Sequence, residues 1–232
     1  MCGIAGIMFR EGKSPDASIL ESFARALGHR GPDGEGKYLA GPVAMVHTRL
    51  AVIDLKTGDQ PIYEPGGAAL IANAEIYNHL ELRATLGDIP QSTQSDCEPP
   101  LHLYRRNGLS FTDSLRGMYA IAIHDPVEAC LILARDPFGI KPLHYRLTTT
   151  ELAFASEMKA LPGGEVDLDA LTVVPDQGAF VELGSVWLVV DRNGGRPRIV
   201  TVNRQALDEA ARAMRAQAQA GRGTEAPAKS SE

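Results

Sequence analysis

The chain opens with the stretch MCGIAGI, residues 1–7, in which Cys2 directly follows the initiator methionine. Small and branched apolar residues alternate after Cys2, and this pattern predicts a short buried strand. If Met1 is removed, Cys2 has both a thiol and a free α-amine, and an amine that titrates at about 8 can accept the thiol proton. Such a strand would present a nucleophile at the end of a sheet. The alternative is that Cys2 is only a small residue that starts a strand.

The composition is that of one globular domain with appendages. The 232 residues are 44% hydrophobic and 22% charged, which suits a substantial core. The net charge of −6 gives no reason to expect a nucleic acid or an anionic membrane as a partner. We find neither a signal peptide nor a run of about 20 apolar residues. The three cysteines suit the reducing cytoplasm and match no zinc pattern, so no metal and no cofactor are expected.

Hydrophobic periodicity and turn residues predict short alternating helices and strands up to residue 161. Ser14, Pro15 and Asp16 predict the start of a helix that ends at Gly28. Further helical segments are expected after residue 78, at residues 98–106 with Asp96 as the cap, and at residues 156–161. Strands are expected at residues 37–40, 43–48, 69–72, 117–124, 130–134, 143–147, 152–155, 186–190 and 198–202. Residues 205–217 are an alanine-rich helix in this interpretation, and the residues after it are expected to be disordered.

Polar residues in apolar surroundings are the first candidates for a site. Arg49 lies within an apolar stretch, where it could either extend its head into water or hold a carboxylate in a bidentate manner. Asn73 and Glu75 follow the predicted strand at residues 69–72, where they could either cap the next element or bind a ligand. The loop HRGPDG at residues 29–34 contains a histidine, an arginine and an aspartate, although it could also be a simple surface turn.

Eight short motifs follow one another along the chain: MCGI at 1–4, HRGPD at 29–33, RLAVID at 49–54, NAEIYN at 73–78, SDCE at 95–98, GMYA at 117–120, RDPFGIKPL at 135–143 and ASEMK at 155–159. In this order they resemble the motifs of the class II (N-terminal-nucleophile) glutamine amidotransferases, most closely the glutaminase domain of glutamine-hydrolysing asparagine synthetases. Each motif alone is weak, but eight in sequence are hard to obtain by chance. The resemblance predicts an amidotransferase domain over residues 1–203, best matched over 1–161, then a helix at 204–217 and a disordered tail at 218–232.

The resemblance implies an α+β fold, a four-layer α/β-β/α sandwich of two stacked antiparallel sheets. It also implies that L-glutamine is the substrate and that the reaction passes through a thioester. The resemblance also implies a role for each matching position. Cys2 is the expected nucleophile with its own amine as base, and Asn73 and the backbone of Ala74 are expected to form the oxyanion hole. Arg49 is expected to bind the α-carboxylate, Glu75 and Asp96 the α-ammonium, and the loop at 29–33 is expected to be part of the lid. The charges agree, because free glutamine is a zwitterion and these residues supply one cation and two anions.

Three features depart from the family pattern. Ala74 replaces a usual glycine, which costs on the order of 1–2 kcal/mol if the backbone there is left-handed. Pro99 and Pro100 replace apolar helix formers, and the pyrophosphate-binding SGGLDS sequence of the synthetase domain is not found. Three hypotheses therefore stay open: a glutaminase that supplies ammonia to a synthetase or transferase subunit, a truncated or decayed module that binds glutamine or a partner protein without turnover, and a hydrolase of another amide.

Overall fold

The structure is a computed structural model that describes residues 1–9, 13–148 and 150–163. For residues 180–182, 186–191 and 198–201 it describes the backbone alone. The predicted helix at residues 204–217 and the predicted tail at 218–232 lie outside the described residues.

Two six-stranded antiparallel sheets form the centre of the described fold. In chain order the strands are β1 (Gly3–Phe9), β2 (Gly34–Ala40), β3 (Val43–Arg49), β4 (Ile62–Tyr63), β5 (Ala69–Ile76), β6 (Gly117–Asp125), β7 (Cys130–Arg135), β8 (His144–Leu147), β9 (Glu151–Ala155), β10 (Phe180–Glu182), β11 (Val186–Asp191) and β12 (Arg198–Thr201). The first sheet has the order β10-β8-β9-β1-β3-β2, and the second has the order β12-β11-β7-β6-β5-β4. The N-terminal strand β1 is therefore central, between β9 and β3.

Three apolar clusters divide the described part into four layers. The alternation along β1 sends Ile4 and Met8 into the cluster between the two sheets, and sends Ala5 and Ile7 to the outer face of the first sheet. Helix α1 (Ser18–Leu27) covers that outer face. Helices α2 (His79–Leu86) and α3 (Pro99–Asn107), with a 3-10 segment at Gly108–Ser114, cover the outer face of the second sheet. The predicted four-layer α+β sandwich is confirmed.

The capping residues of two helices differ from the prediction. Helix α1 begins at Ser18, not at Ser14, and the Asp16 carboxylate accepts a hydrogen bond from Ser18 N at 2.7 Å. Helix α3 begins at Pro99 with Pro100 also in its first turn, where a missing N–H costs nothing, as expected. Asp96 does not cap α3, because its Oδ2 accepts the backbone N–H of Ile76 at 2.7 Å.

Strand β5 is longer than predicted. It continues to Ile76 because β6 pairs with it along its whole length, from Ala69 opposite His124 to Ile76 opposite Gly117. Asn73 and Glu75 therefore lie within a strand and not beyond its end, and neither is a helix cap. On its other edge β5 is paired with β4 only at Ala69 and Leu70, so the rest of that edge is available to side chains.

Candidate active site

The site side chains meet because of the two-residue period of the strands. Strand β3 directs Val43 and Met45 into the space between the sheets, so Arg49, four residues after Met45, faces the same space. Strand β5 directs Ala69 and Ile71 into that space from the opposite sheet, and Asn73 and Glu75 continue the series. The apolar cluster between the sheets thus ends in a polar pocket.

One pocket of about 110 Å³ contains all six residues that the sequence assigned to the site. These are Cys2, Arg49, Asn73, Ala74, Glu75 and Asp96. The pocket is also lined by residues that the sequence analysis did not select, namely Met1, His47, Leu50, Val52, Ile53, Gly58, Gln60, Ala72, Ser95, Cys97 and Lys141.

The Cys2 thiol lies beside the backbone that follows Arg49. Leu50 N donates a hydrogen bond to the Cys2 sulfur at 3.4 Å, and the thiol is 3.6 Å from Leu50 O. The residue is partly buried, and the next residue, Gly3, begins β1. The sulfur is thus held at the rim of the first sheet, where it can reach a molecule in the pocket.

The loop at residues 29–33 holds the backbone of Cys2 in place. Arg30 Nε donates to Cys2 O at 3.0 Å, and Arg30 Nη1 donates to Glu157 Oε1 at 2.9 Å. Burial opposes ionisation of Glu157, but hydrogen bonds from Arg30, Lys159 and His29 outweigh it and lower its pKa to about 2. The HRGPD and ASEMK motifs therefore meet around Cys2.

Arg49 is a buried cation held by the loop that follows it. Its Nη1 donates to Asp59 Oδ1 at 2.7 Å, and its Nη2 donates to the carbonyls of Ile53 and Asp54. The Arg49 side chain is 9% exposed, whereas that of Asp59 is 82% exposed, so water competes strongly for Asp59. The guanidinium of Arg49 is thus held by the loop and is not extended into water.

The open edge of β5 presents two potential donors to the pocket. Ala72 N donates to the Gln60 side chain at 2.6 Å, and Ile76 N donates to Asp96 Oδ2 at 2.7 Å. Because N–H groups of alternate residues point to the same edge of a strand, the Ala74 N–H points to this edge between the two bonds. The Asn73 amide nitrogen is buried without a hydrogen-bond partner in the described part of the protein. A buried donor of this kind requires an acceptor, which a ligand carbonyl can supply.

The two acidic residues approach the pocket from different elements. Glu75 is a half-buried residue of β5, and Asp96 is a buried residue of the segment before α3. Asp96 Oδ2 accepts the Ile76 N–H, while its Oδ1 is 3.7 Å from the Cys97 sulfur. Burial, and then the charge of Asp96, raise the pKa of the Cys97 thiol. Cys97 is therefore a neutral thiol beside the site.

Four of the pocket residues that the sequence analysis did not select carried a readable signal in the sequence. His47 is two residues before Arg49 and so shares its face of β3, and burial and the Arg49 charge lower its pKa to about 4. Lys141 belongs to the RDPFGIKPL motif, whose loop is fixed by Asp136: Ile140 N and Lys141 N both donate to its carboxylate at 2.9–3.0 Å. Ser95 and Cys97 belong to the SDCE motif and flank Asp96, so the sequence also pointed to them. Gln60 gave no comparable signal, because only the folded chain brings it to the pocket.

Comparison with known proteins gives the family of the chain. Residues 1–179 match the family model described as a glutamine amidotransferase domain, and the chain belongs to that family. Among its relatives, asparagine synthetase [glutamine-hydrolyzing] 2 of Bacillus subtilis is 42% identical over 165 residues, which are 69% of this chain and 22% of the relative. Asparagine synthetase B of Escherichia coli is 40% identical over 168 residues, 69% of this chain and 30% of the relative. The chain thus spans less than a third of these relatives.

Solved structures show the same fold at low identity. The glutamine phosphoribosylpyrophosphate amidotransferase of B. subtilis, complexed with ADP and GMP, has a TM-score of 0.66 at 24% identity, covering 88% of this chain and 50% of that one. A structure described as the allosteric regulatory enzyme of purine biosynthesis has a TM-score of 0.68 at 23% identity, with 88% and 49% covered.

Proposed function

We propose that this domain hydrolyses the side-chain amide of L-glutamine to glutamate and ammonia. The observation that supports this most is the convergence of Cys2, Arg49, Asn73, Glu75 and Asp96 on one pocket from both sheets. A cation and two carboxylates suit the head of a free amino acid. A thiol and an unpartnered amide donor suit the carbonyl at its other end.

The head group of glutamine is held by charge. Arg49 binds the α-carboxylate, and Glu75 and Asp96 bind the α-ammonium. The two fixed carbonyls on Nη2 of Arg49 limit its rotation, so the guanidinium keeps a defined orientation. With its head group bound in this way, glutamine extends its side chain towards Cys2.

The chemical steps use the thiol and two donors. The Cys2 sulfur attacks the amide carbon, and the thiol proton passes to the α-amine of Cys2 and then to the leaving nitrogen. The negative oxygen of the tetrahedral intermediate accepts hydrogen bonds from Asn73 Nδ2 and from the Ala74 N–H. Loss of one donor from such an oxyanion hole typically lowers the rate roughly a hundred- to a thousand-fold. The intermediate releases ammonia to give a glutamyl thioester, and water hydrolyses the thioester to glutamate and the restored thiol.

This mechanism requires the removal of Met1. Met1 lines the pocket and is 59% exposed, so its removal both frees the Cys2 amine and widens the pocket mouth. Cysteine is small enough as the second residue for the methionine aminopeptidase to act.

The ammonia is proposed to pass to a synthetase or transferase on another polypeptide segment or chain. Val52, which lines the pocket, is 64% exposed and Leu55, three residues further along the same loop, is 70% exposed, and this supports a partner surface on that loop. We propose cytoplasmic localisation, since none of the three cysteines, all in the described part, forms a disulfide. Among the described residues, no helix is long and apolar enough to cross a bilayer.

We further propose that the domain extends to residue 203, since β11 and β12 complete the second sheet.

An ammonia-release assay tests the proposed function. Purified protein with a free Cys2 amine, verified by intact mass, is expected to release ammonia from L-glutamine, and the Cys2→Ala variant is expected to release none while folding normally. Substantial turnover by Cys2→Ala, or retention of Met1 in active protein, contradicts the mechanism. If the wild type binds glutamine but never hydrolyses it, the binding-module hypothesis replaces the enzyme.

A further inference from the structure

One residue outside the pocket contacts both of the segments that hold the amino-acid head group. Asp54 lies in the loop between β3 and β4 with a φ of +53°, a left-handed conformation that is uncommon for a residue with a Cβ. Its backbone carbonyl accepts hydrogen bonds from Arg49 Nη2 and, at 3.2 Å, from Gly58 N. The unusual backbone of Asp54 therefore directs a carbonyl at the cation of the pocket.

The side chain of the same residue reaches the second segment. Asp54 Oδ1 accepts Thr57 N at 2.9 Å, while Oδ2 accepts Thr57 Oγ1 at 2.5 Å and Gln94 N at 2.8 Å. Gln94 stands two residues before Asp96. Burial opposes ionisation of the Asp54 carboxyl, but these hydrogen bonds outweigh it and its pKa is lowered.

The segment at residues 91–98 is fixed from its other side by a separate network. Arg83 Nη2 donates to Ser95 O at 2.5 Å, and the Glu98 carboxylate accepts Thr93 N at 2.7 Å. The segment that contains Asp96 is therefore rigid, and Asp54 joins the Arg49 loop to it.

We propose that Asp54 is a positioning residue that sets the separation between the α-carboxylate subsite at Arg49 and the α-ammonium subsite at Asp96. The inference rests on the proposed function, because it assumes that these subsites bind glutamine. The α-carboxylate and the α-ammonium of glutamine are attached to the same carbon atom, so the distance between them is fixed. The two subsites can therefore bind both groups at once only when the subsites are separated by a matching distance. Asp54 does not line the pocket and acts through its two neighbours.

The close packing of this loop agrees with a fixed separation. A Cβ at Gly58 would lie 2.8 Å from Arg49 Nη2 and 2.8 Å from Asp54 O. Gly58 thus lets Arg49 Nη2 and the Asp54 carbonyl approach the loop closely, and a side chain at position 58 would displace one of them.

The test is the Asp54→Asn variant. Asparagine adopts left-handed backbone conformations readily, so the loop is retained, but it offers one acceptor oxygen in place of two and has no charge. The variant therefore loses either the bond from Thr57 N or the two bonds that Oδ2 accepts from Thr57 Oγ1 and Gln94 N, and any bond that remains is no longer made to a charged group. The affinities for L-glutamine and for glutaramate, which lacks only the α-amino group, are measured by calorimetry in the Cys2→Ala background. We expect the preference for glutamine over glutaramate to fall about tenfold, as for one charged hydrogen bond, while the affinity for glutaramate changes little. In the hydrolytic protein, KM for glutamine rises and kcat is nearly unchanged.

The matched control is Asp88→Asn, at an exposed aspartate after α2, which is expected to leave both affinities unchanged. An unchanged preference in Asp54→Asn, or an equal loss of affinity for both ligands, overturns the inference. An equal loss is what a merely destabilised fold produces. These outcomes are distinct from failure of the proposed function, which is seen as absence of ammonia release by the wild type.

Discussion

Ala74 is the position where the chain departs most visibly from its relatives, and its backbone conformation decides what the departure means. Among the described residues, only Asp54 and Ala129 have a positive φ apart from glycines, so Ala74 is not strained. It is a regular residue of β5, opposite Tyr119. The side chain packs on the outer cluster of the second sheet, while the N–H points to the pocket edge. The Cβ therefore does not interfere with an oxyanion hole.

Ala74→Gly is accordingly expected to give no gain in activity. A relieved strain would raise kcat, but here glycine only adds backbone freedom, so we expect kcat to be equal or slightly lower and the stability to fall by about 0.5–1 kcal/mol. Steady-state kinetics and urea unfolding measure the two effects. A severalfold increase in kcat would show that alanine strains the loop after all.

Arg49→Lys is expected to raise KM for glutamine nearly as much as Arg49→Ala does. Lysine keeps the charge, but it cannot donate at once to the Asp54 carbonyl, to Asp59 and to a carboxylate in the geometry that the guanidinium provides. The carboxylate is held equally in the ground and transition states, so kcat should change less than KM. A normal KM in the lysine variant would indicate that Arg49 only anchors the loop that follows it and does not bind the substrate.

Strand β1 is the element on which the position of the nucleophile depends. It pairs with β3 from Gly3 to Met8 and with β9 from Ala5 to Phe9, and Ser156 Oγ accepts the N–H of Ile4 at 3.0 Å. Such a strand cannot shift without disturbing both neighbours. The small residues in MCGIAGI are explained by this packing, since a Cβ at Gly6 would lie 2.5 Å from the Phe154 ring and 2.8 Å from Ala44 O.

Gly6→Ala should therefore destabilise the protein without altering any group of the pocket. Overpacking a core position typically costs about 1–3 kcal/mol, and thermal and urea unfolding measure the loss. Gly28→Ala is the control, because its backbone is helical with a φ of −55° and a new Cβ would approach only Ala24 O, at 3.3 Å. Equal stability of the two variants would mean that β1 is packed less tightly than the described contacts indicate.

For the molecule as a whole, buried titratable groups predict sensitivity to acid. Burial lowers the pKa of His124 to about 4, as it does for His47 together with the Arg49 charge. Burial opposes ionisation of Glu98, but hydrogen bonds from His102, Ser92 and Thr93 hold its pKa at about 2. All three groups bind fewer protons in the folded than in the unfolded state at acidic pH.

The free energy of unfolding should thus fall as the pH falls from about 6.5 to 4 through the histidines, and from about 4.5 to 2 through Glu98. Urea midpoints measured across this range test the sign. In Glu98→Gln the decline below about pH 4.5 should become shallower while the decline above it persists. A stability that rises on acidification from pH 6.5 to 4 would contradict the neutral, buried histidines.

Local sequence patterns were enough to predict most elements, whereas the class of fold followed from the resemblance of eight motifs to a known family. Periodicity, capping residues and turn formers depend on near neighbours, and they located the helices and the main hairpins within a few residues. The six site residues predicted from the eight motifs all line the pocket. The N-terminal cysteine and its strand needed no tertiary information.

The tertiary structure decided the features that depend on distant partners. Strand β5 continues to Ile76 because β6 pairs with it, and Asp96 binds the β5 edge and not its own helix, because a strand N–H without a partner is available there. The link from Asp54 to Arg49 and Gln94 likewise joins segments about 40 residues apart. Such contacts depend on register and on the stacking of two sheets, which no local pattern specifies. The sequence therefore indicated which residues line the candidate site, but not how they are arranged there.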